Sequence, residues 1–139
     1  MNRILIVDNS ADLLEPLKVF LEQKNYLVKT LISGIDIYLE ILDFKPDILI
    51  LDIFLDGEDG RQICKSLRNQ AETKHLPILL FSASPKILTE YKKYTADDYL
   101  EKPFDLNTLY QKTQSLLELA PLKRKHFNLK RSSNVLQKI

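Results

Sequence analysis

A chain of 139 residues with 45% apolar and 28% charged residues has the length and composition of one folded domain. That composition excludes a collagen, a disordered tail and a disulfide-rich scaffold, and the single cysteine, Cys64, cannot form an internal disulfide bond. Charged residues interrupt every apolar stretch before the ~18 residues that a membrane span requires, and the first apolar run is too short for a secretory signal. We therefore expect a cytoplasmic protein that makes no membrane contact.

The net charge of +1 is unevenly distributed along the chain. Residues 1–120 contain all 19 Asp and Glu residues and 14 of the 20 Lys and Arg residues, whereas residues 121–139 contain the other six basic residues and no acid. This change predicts an acidic domain, 1–120, followed by a basic tail, 121–139. We interpret the tail as a solvated extension, with docking on a partner or on its own domain as the alternative. Nucleic-acid binding is not expected, because it needs more than six basic residues in a short tail.

Five short apolar runs, which alternate with longer segments of helical periodicity, predict the strands. The runs begin at Ile4, Tyr26, Ile48, Ile78 and Tyr99. Three of them are apolar at every position, which is typical of strands buried on both faces of a parallel sheet. Five repeats of strand and helix predict an α/β protein with a doubly wound, five-stranded parallel sheet and helices on both faces.

The segments between the apolar runs have the spacing of amphipathic helices. Ser84-Pro85 and Asp105 are start signals for the fourth and fifth helices. Pro16 falls inside the first helix, so we expect that helix to start late or to have a distorted first turn. The predicted core stripes of the five helices are, in order, Leu13, Leu17, Phe20 and Leu21; Ile35, Leu39 and Leu42; Ile63, Cys64 and Leu67; Ile87, Leu88, Tyr91 and Tyr94; and Leu106, Leu109, Leu116 and Leu117.

Polar side chains stand where four of the five predicted strands end. Asp8 follows the first run, Asp52 the third and Ser82 the fourth, and Lys102 comes two residues after the fifth. Parallel strands end at the same edge of an open α/β sheet, where such sheets bind their ligands. Each residue alone is explained as a turn, a cap or a solvated group. Together, the four predict one site.

Phosphoryl transfer to a carboxylate is the chemistry that these groups suit. Clustered carboxylates raise one another's pKa values unless a cation neutralises them, and Mg²⁺ is a hard cation that prefers oxygen ligands. A carboxylate can act as a covalent nucleophile, while a metal, a lysine and a hydroxyl hold the phosphoryl oxygens. The site therefore suits an aspartyl phosphate formed with Mg²⁺.

Four segments carry recognisable motifs: ILIVD (4–8), ILDIFL (50–55) with DG (59–60), PILLFSA (77–83) and ADDYLEKPF (96–104). In this order and at these spacings, the chain resembles a response-regulator receiver domain of two-component signalling, from residue 3 to about residue 119. The resemblance implies a flavodoxin-like fold with the strand order 2-1-3-4-5. It also implies a cis peptide bond between Lys102 and Pro103.

The resemblance assigns a role to each candidate site residue. It implies Mg²⁺ as the cofactor, a sensor histidine kinase or a histidine phosphotransfer protein as the phosphodonor, and a downstream protein as the partner. The implied roles are the phosphoacceptor for Asp52, a metal-site acid for Asp8, a metal-binding backbone carbonyl for Phe54, a weakened metal ligand for Asn9, the switch hydroxyl for Ser82, the phosphoryl-contacting ammonium for Lys102 and the aromatic switch for Tyr99.

The chain departs from the family pattern in four places. Asn9 stands where the second of two adjacent acids is usual, so it keeps an oxygen ligand but loses a charge. Asp56 replaces a usual proline, and we expect it to face solvent. Thr95-Ala96 replaces the usual Gly-Ala before the fifth strand. The interval from Ser82 to Lys102 is 20 residues, which is shorter than is usual in the family. This predicts that the fourth helix, or the loop that leads into it, is trimmed.

A phosphorylation-dependent switch that signals by binding a partner is the function we favour from the sequence. We expect a stand-alone receiver domain, because 19 tail residues hold no output domain. We expect no enzyme activity beyond its own phosphoryl transfer and slow dephosphorylation. The alternative is a pseudo-receiver, an interaction module in which Asn9 has cost the chain its phosphorylation. A free-standing hydrolase ranks last, because no His or Glu is positioned as a base.

Overall fold

The computed structural model describes residues 1–119, apart from the side chain of Leu88. The predicted basic tail, 121–139, lies outside the described residues. In the described part of the chain, no helix has the length and apolar character that crossing a membrane requires.

Five parallel strands form the main sheet, and all five were predicted. Their order is β2-β1-β3-β4-β5, which confirms the flavodoxin-like fold. A two-stranded antiparallel hairpin, residues 54–59, follows the third strand. The strands of the main sheet are β1 (Arg3–Val7), β2 (Leu27–Leu31), β3 (Ile48–Asp52), β4 (Ile78–Ser82) and β5 (Asp98–Glu101).

Helices cover both faces of the sheet, as the sequence predicts. Alternate residues of β1 serve the two faces, since Ile4 and Ile6 join one apolar cluster and Leu5 and Val7 join the other. The first cluster includes buried residues of α1 and α5, and the second includes buried residues of α2 and α3. The helices are α1 (Ala11–Gln23), α2 (Ile37–Phe44), α3 (Gly60–Arg68), α4 (Pro85–Leu88) and α5 (106–119).

The predicted core stripe of the second helix is wrong. Leu39 is 62% exposed and Ile35 is 70% exposed, whereas Ile37 and Ile41 are buried. This segment carries two apolar stripes, and the loop from β2 decides which of them faces the sheet. In that loop, Asp36 adopts a left-handed conformation directly before α2. Leu106, at the start of α5, is likewise more exposed than its predicted place in a core stripe implies.

The first helix begins directly after its N-cap, Ser10, so the expected late start is wrong. The carbonyl of Ser10 accepts hydrogen bonds from the amides of both Leu13 and Leu14, each at 3.1 Å. The first of these bonds is of the 3₁₀ type, so the first turn is tightened. Pro16 lies on the exposed side of the helix.

The fourth helix contains only four residues and begins at Pro85 after Ser84, as predicted. A 3₁₀ helix, Tyr91–Tyr94, follows it and leads towards β5. This short connection is what the reduced interval before Lys102 predicts.

Candidate functional site

Two carboxylates and one ammonium meet at the carboxyl edge of the sheet. Asp8 directly follows β1, Asp52 is the last residue of β3, and Lys102 directly follows β5. Lys102 Nζ lies 2.6 Å from Asp8 Oδ2 and 3.4 Å from Asp52 Oδ2. Asp8 is fully buried and Asp52 is 4% exposed. The parallel topology thus brings together three of the residues that the sequence placed at strand ends.

The electrostatic balance at these three residues is negative. Burial and, to a smaller extent, repulsion from Asp8 raise the pKa of Asp52 to about 6. Lys102 and the backbone amide of Phe54, which donates to Asp52 Oδ1 at 3.4 Å, act in the opposite direction. Asp8 Oδ1 accepts a hydrogen bond of 2.7 Å from the backbone amide of Ser10. Two buried carboxylates against one ammonium leave a negative charge that a cation would neutralise.

Lys102 is held by the sheet as well as by the carboxylates. Its backbone amide donates to the carbonyl of Ser82 at 2.8 Å, which ties the ends of β4 and β5 together. Its Nζ lies 4.6 Å from the ring centroid of Phe81, a cation–π contact. The Lys102-Pro103 peptide bond is cis, as expected.

Ser82 and Tyr99, the predicted switch residues, lie on the neighbouring strands β4 and β5. Ser82 is 1% exposed, and its Oγ accepts a hydrogen bond of 3.2 Å from the amide of Ser84. The half-buried ring of Tyr99 lies 5.1 Å from the ring of Tyr91, centroid to centroid. Lys112 Nζ lies 5.0 Å from the Tyr99 ring centroid. Tyr99 therefore connects β5 with the 3₁₀ helix after α4 and with α5.

The donors at the carboxyl edge fit a hard cation that keeps part of its water shell. Within residues 1–119, no three His, Cys, Asp or Glu side chains converge in a way that could hold a metal. Asp8 and Asp52 would supply two carboxylates, and the Phe54 carbonyl and the Asn9 amide oxygen are the further oxygens in the predicted set. Mg²⁺ is commonly bound by one or two carboxylates together with several waters, so this donor set suits it.

Asn9 and Asp56, both departures from the family pattern, contact each other. Asn9 Nδ2 donates to Asp56 Oδ1 at 3.1 Å. Asp56 is exposed, as expected, but it also accepts this bond from the loop that follows β1. The partners are 47 residues apart, and nothing in the sequence pattern pairs them.

Gly60 has a structural role at the site that the sequence analysis did not assign. A Cβ atom at this position would clash with the backbone carbonyl oxygen of Asp52 and would lie 2.9 Å from Ile53 Cα. The Gly60 amide donates to the Ile53 carbonyl at 2.8 Å. Asp59 caps this helix start by accepting from the Arg61 amide at 2.9 Å. The available signal was a glycine at a helix start eight residues after Asp52.

Comparison with known proteins decides the family. The sequence model described as "Response regulator receiver domain" matches residues 4–114. The chain belongs to the response regulator receiver domain family. Among curated relatives, the response regulator ArlR of Staphylococcus aureus is 34% identical over 125 residues, which cover 88% of this chain and 56% of ArlR. RpaA of Synechocystis sp., described as a DNA-binding dual master transcriptional regulator, is 32% identical over 119 residues, or 84% of this chain and 49% of RpaA.

The receiver domain spans about half the length of these two curated relatives. Among solved structures, a two-component response regulator from Clostridium difficile matches with a TM-score of 0.76 and 30% identity, covering 85% of this chain and 97% of that one. The chemotaxis protein CheY4 of Vibrio cholerae matches with a TM-score of 0.75 and 28% identity, covering 84% and 98%. The homologues are response regulators, which are signalling proteins rather than metabolic enzymes.

Proposed function

We propose that this receiver domain is a phosphorylation-dependent switch in which Asp52 accepts a phosphoryl group and thereby changes the binding of a partner protein. The observation that carries the proposal is the buried pair of carboxylates, Asp8 and Asp52, with Lys102 Nζ at 2.6 and 3.4 Å. Membership of the receiver family supports it. We place the reaction in the cytoplasm, with a sensor histidine kinase or a histidine phosphotransfer protein as the donor.

Asp52 has the protonation state that a nucleophile needs. With a pKa of about 6, its carboxylate is mainly ionised at neutral pH, and a bound cation would ionise it further. An oxygen of Asp52 attacks the phosphorus of a phosphohistidine, so the new O–P bond forms as the P–N bond breaks and the imidazole leaves. Asp8, Asp52 and the Phe54 carbonyl would hold Mg²⁺, which would supply positive charge to the phosphoryl oxygens.

Lys102 links this chemistry to the rest of the sheet. In the unphosphorylated structure, Lys102 Nζ contacts Asp8. A phosphoryl group on Asp52 would add negative charge close to this ammonium, so we expect Nζ to move towards the phosphoryl group. The hydroxyl of Ser82 is proposed to donate to a phosphoryl oxygen. The backbone amide of Lys102 is hydrogen-bonded to the Ser82 carbonyl. A shift of Lys102 or Ser82 would therefore be transmitted to β5 and to Tyr99. We propose that the contact between the Tyr91 and Tyr99 rings then rearranges, and that this change alters the surface that binds the partner protein.

A pseudo-receiver is the second candidate, and one specific observation favours it. Asn9 brings no charge to the cation site, where the family pattern has a second acid. In that case the domain would bind its partner without accepting phosphate.

Intact-mass measurement separates the two candidates. The full chain is incubated with acetyl phosphate, with and without MgCl₂. We expect the mass to increase by one phosphoryl group, only when Mg²⁺ is present, and this increase to disappear in Asp52→Asn. Asp12→Asn is the matched control, because Asp12 is an exposed carboxylate in the first turn of α1. No mass increase in the parent protein, or equal labelling of Asp52→Asn, would overturn the proposal.

A further inference from the structure

The hydrogen bond between Asn9 and Asp56 joins the two loops that carry the buried carboxylates. Asn9 directly follows Asp8, and Asp56 lies in the turn of the hairpin, four residues after Asp52. Their contact, Nδ2 to Oδ1 at 3.1 Å, is between side chains. This bond therefore ties the loop after β1 to the hairpin after β3.

The chemistry of this bond fixes the orientation of the Asn9 amide. An ionised carboxylate can only accept hydrogen bonds, so the NH₂ group of Asn9 must face Asp56. The amide oxygen is on the other branch of the planar group and is turned away from Asp56. That oxygen is the only side-chain atom of Asn9 that could bind a hard cation. The bond to Asp56 thus decides which end of the Asn9 amide group is available to a cation.

The charges around Asn9 also favour a role for Asp56 in cation binding. Asn9 contributes no charge, and Asp8 and Asp52 share one ammonium, Lys102. The Asp56 carboxylate places a further negative charge next to Asn9 while remaining exposed to water. Its charge would therefore attract a cation bound through the Asn9 oxygen, without a buried carboxylate's desolvation cost.

We propose that Asp56 is a positioning residue for cation binding: it holds the Asn9 amide with its oxygen available to the cation, and it supplies from outside the ligand set the negative charge that Asn9 lacks. The inference rests on the proposed function, because it assumes that Mg²⁺ binds beside Asp8 and Asp52. Residues that orient metal ligands in this way typically contribute about 10- to 100-fold to metal affinity.

Asp56→Asn keeps the size of the side chain and removes both effects. An amide can donate as well as accept, so Asn9 is no longer held in one orientation, and the charge is lost. We expect the Kd for Mg²⁺ to rise about tenfold. Asp56→Glu keeps the carboxylate and should restore most of the affinity. Glu118→Gln removes one exposed charge near the C-terminal end of α5, at the opposite edge of the sheet. It should change the Kd less than about twofold, because exposed charges at such a distance are screened.

The second arm is a double-mutant cycle between positions 9 and 56. Asn9→Asp adds a charge that attracts Mg²⁺, but the new carboxylate cannot donate to Asp56 and repels it. Asn9→Asp should therefore tighten Mg²⁺ binding, and the gain should be several-fold larger when Asp56→Asn is also present. Independent sites would give equal gains in both backgrounds.

Titration calorimetry with MgCl₂ on the full chain tests the inference, at one ionic strength and with thermal melts in EDTA. The expected result is a tenfold weaker Kd for Asp56→Asn at an unchanged melting temperature, rescue by Asp56→Glu and a non-additive cycle. A Kd for Asp56→Asn within twofold of the parent, with equal gains from Asn9→Asp in both backgrounds, would overturn the role of Asp56 and leave the proposed function standing. A parent protein that binds no Mg²⁺ and accepts no phosphoryl group would instead overturn the proposed function and, with it, this inference.

Discussion

At the scale of single residues, Asp52 is a carboxylate that the fold buries at a cost in stability. Burial and Asp8 raise its pKa from 3.8 to about 6 in the folded state. Between these two values, the folded state binds more protons than the unfolded state, so the free energy of unfolding falls as the pH rises through this window. The loss persists above pH 6, where Asp52 is ionised in both states.

Asp52→Asn should therefore stabilise the metal-free protein at pH 7.5. We expect the free energy of unfolding to rise by about 1–2 kcal/mol, because an amide carries no charge to desolvate and does not repel Asp8. The gain should shrink as the pH is lowered towards 4, where the wild-type carboxyl group is protonated in the folded state. Urea denaturation in EDTA at both pH values measures this, with Asp12→Asn as the control. A destabilised Asp52→Asn at pH 7.5 would show that Lys102 more than compensates for the burial.

The partners of the site residues were predictable only in part. The sequence placed Asp8, Asp52 and Lys102 at strand ends, and parallel topology alone brings such positions together. It did not predict that Lys102 contacts the carboxylates more closely at Asp8 than at Asp52. Nor did it pair Asn9 with Asp56, because the conformations of two loops decide that contact and neither follows a periodic pattern.

At the scale of elements, the start of α3 is packed directly against the end of β3, which carries Asp52, the proposed phosphoacceptor. Gly60 is the first residue of that helix, and a side chain there would meet the backbone of Asp52 and Ile53. Backbone atoms cannot turn aside as a flexible side chain can. Any substitution must therefore move the helix start or the end of β3.

Gly60→Ala should destabilise the protein by about 1–3 kcal/mol, the usual cost of overpacking a close contact. It should also slow labelling of Asp52 by acetyl phosphate, because the displaced backbone carries this proposed acceptor. Gly57→Ala is the matched control: its φ of +72° strains an alanine, but no atom lies within 4 Å of the new Cβ, so only the strain is expected. Urea denaturation and intact-mass time courses compare the two variants. Equal stability and equal labelling rates would mean that the close contact has no influence on the site.

The sequence predicted every strand of the main sheet and the helices between them, but not the buried face of α2. β1, β3 and β4 are buried almost throughout, so their uniformly apolar runs identified them. α2 covers the sheet with one face only, and its sequence offers two apolar stripes of similar strength. Ile37 and Ile41 face the core and Leu39 faces solvent because the loop from β2 sets the rotation of the helix. That information is tertiary, so helical periodicity alone did not contain it.

At the scale of the whole molecule, the sheet joins the site to distant surfaces through bonds between neighbouring strand ends. The amide of Asp8 donates to the Leu31 carbonyl at 3.0 Å, and the amide of Ile53 donates to the Phe81 carbonyl at 3.1 Å. These bonds join β1 to β2 and β3 to β4, and the bond from Lys102 to Ser82 joins β5 to β4. The register pair of Val7 and Leu51 joins β1 to β3, which completes the carboxyl edge from β2 to β5. A charge added at Asp52 therefore acts on an edge that is connected throughout.

The amide NMR spectrum of the full chain, recorded with MgCl₂ before and after addition of acetyl phosphate, tests the central claim most directly. If phosphorylated Asp52 is the switch, new resonances appear for Lys102 and Ser82 and extend to Tyr99 and Tyr91, and Asp52→Asn shows none of them. The new resonances should disappear as the phosphoryl group is lost. Identical spectra before and after acetyl phosphate, or changes confined to the immediate neighbours of Asp52, would contradict a phosphorylation-dependent switch.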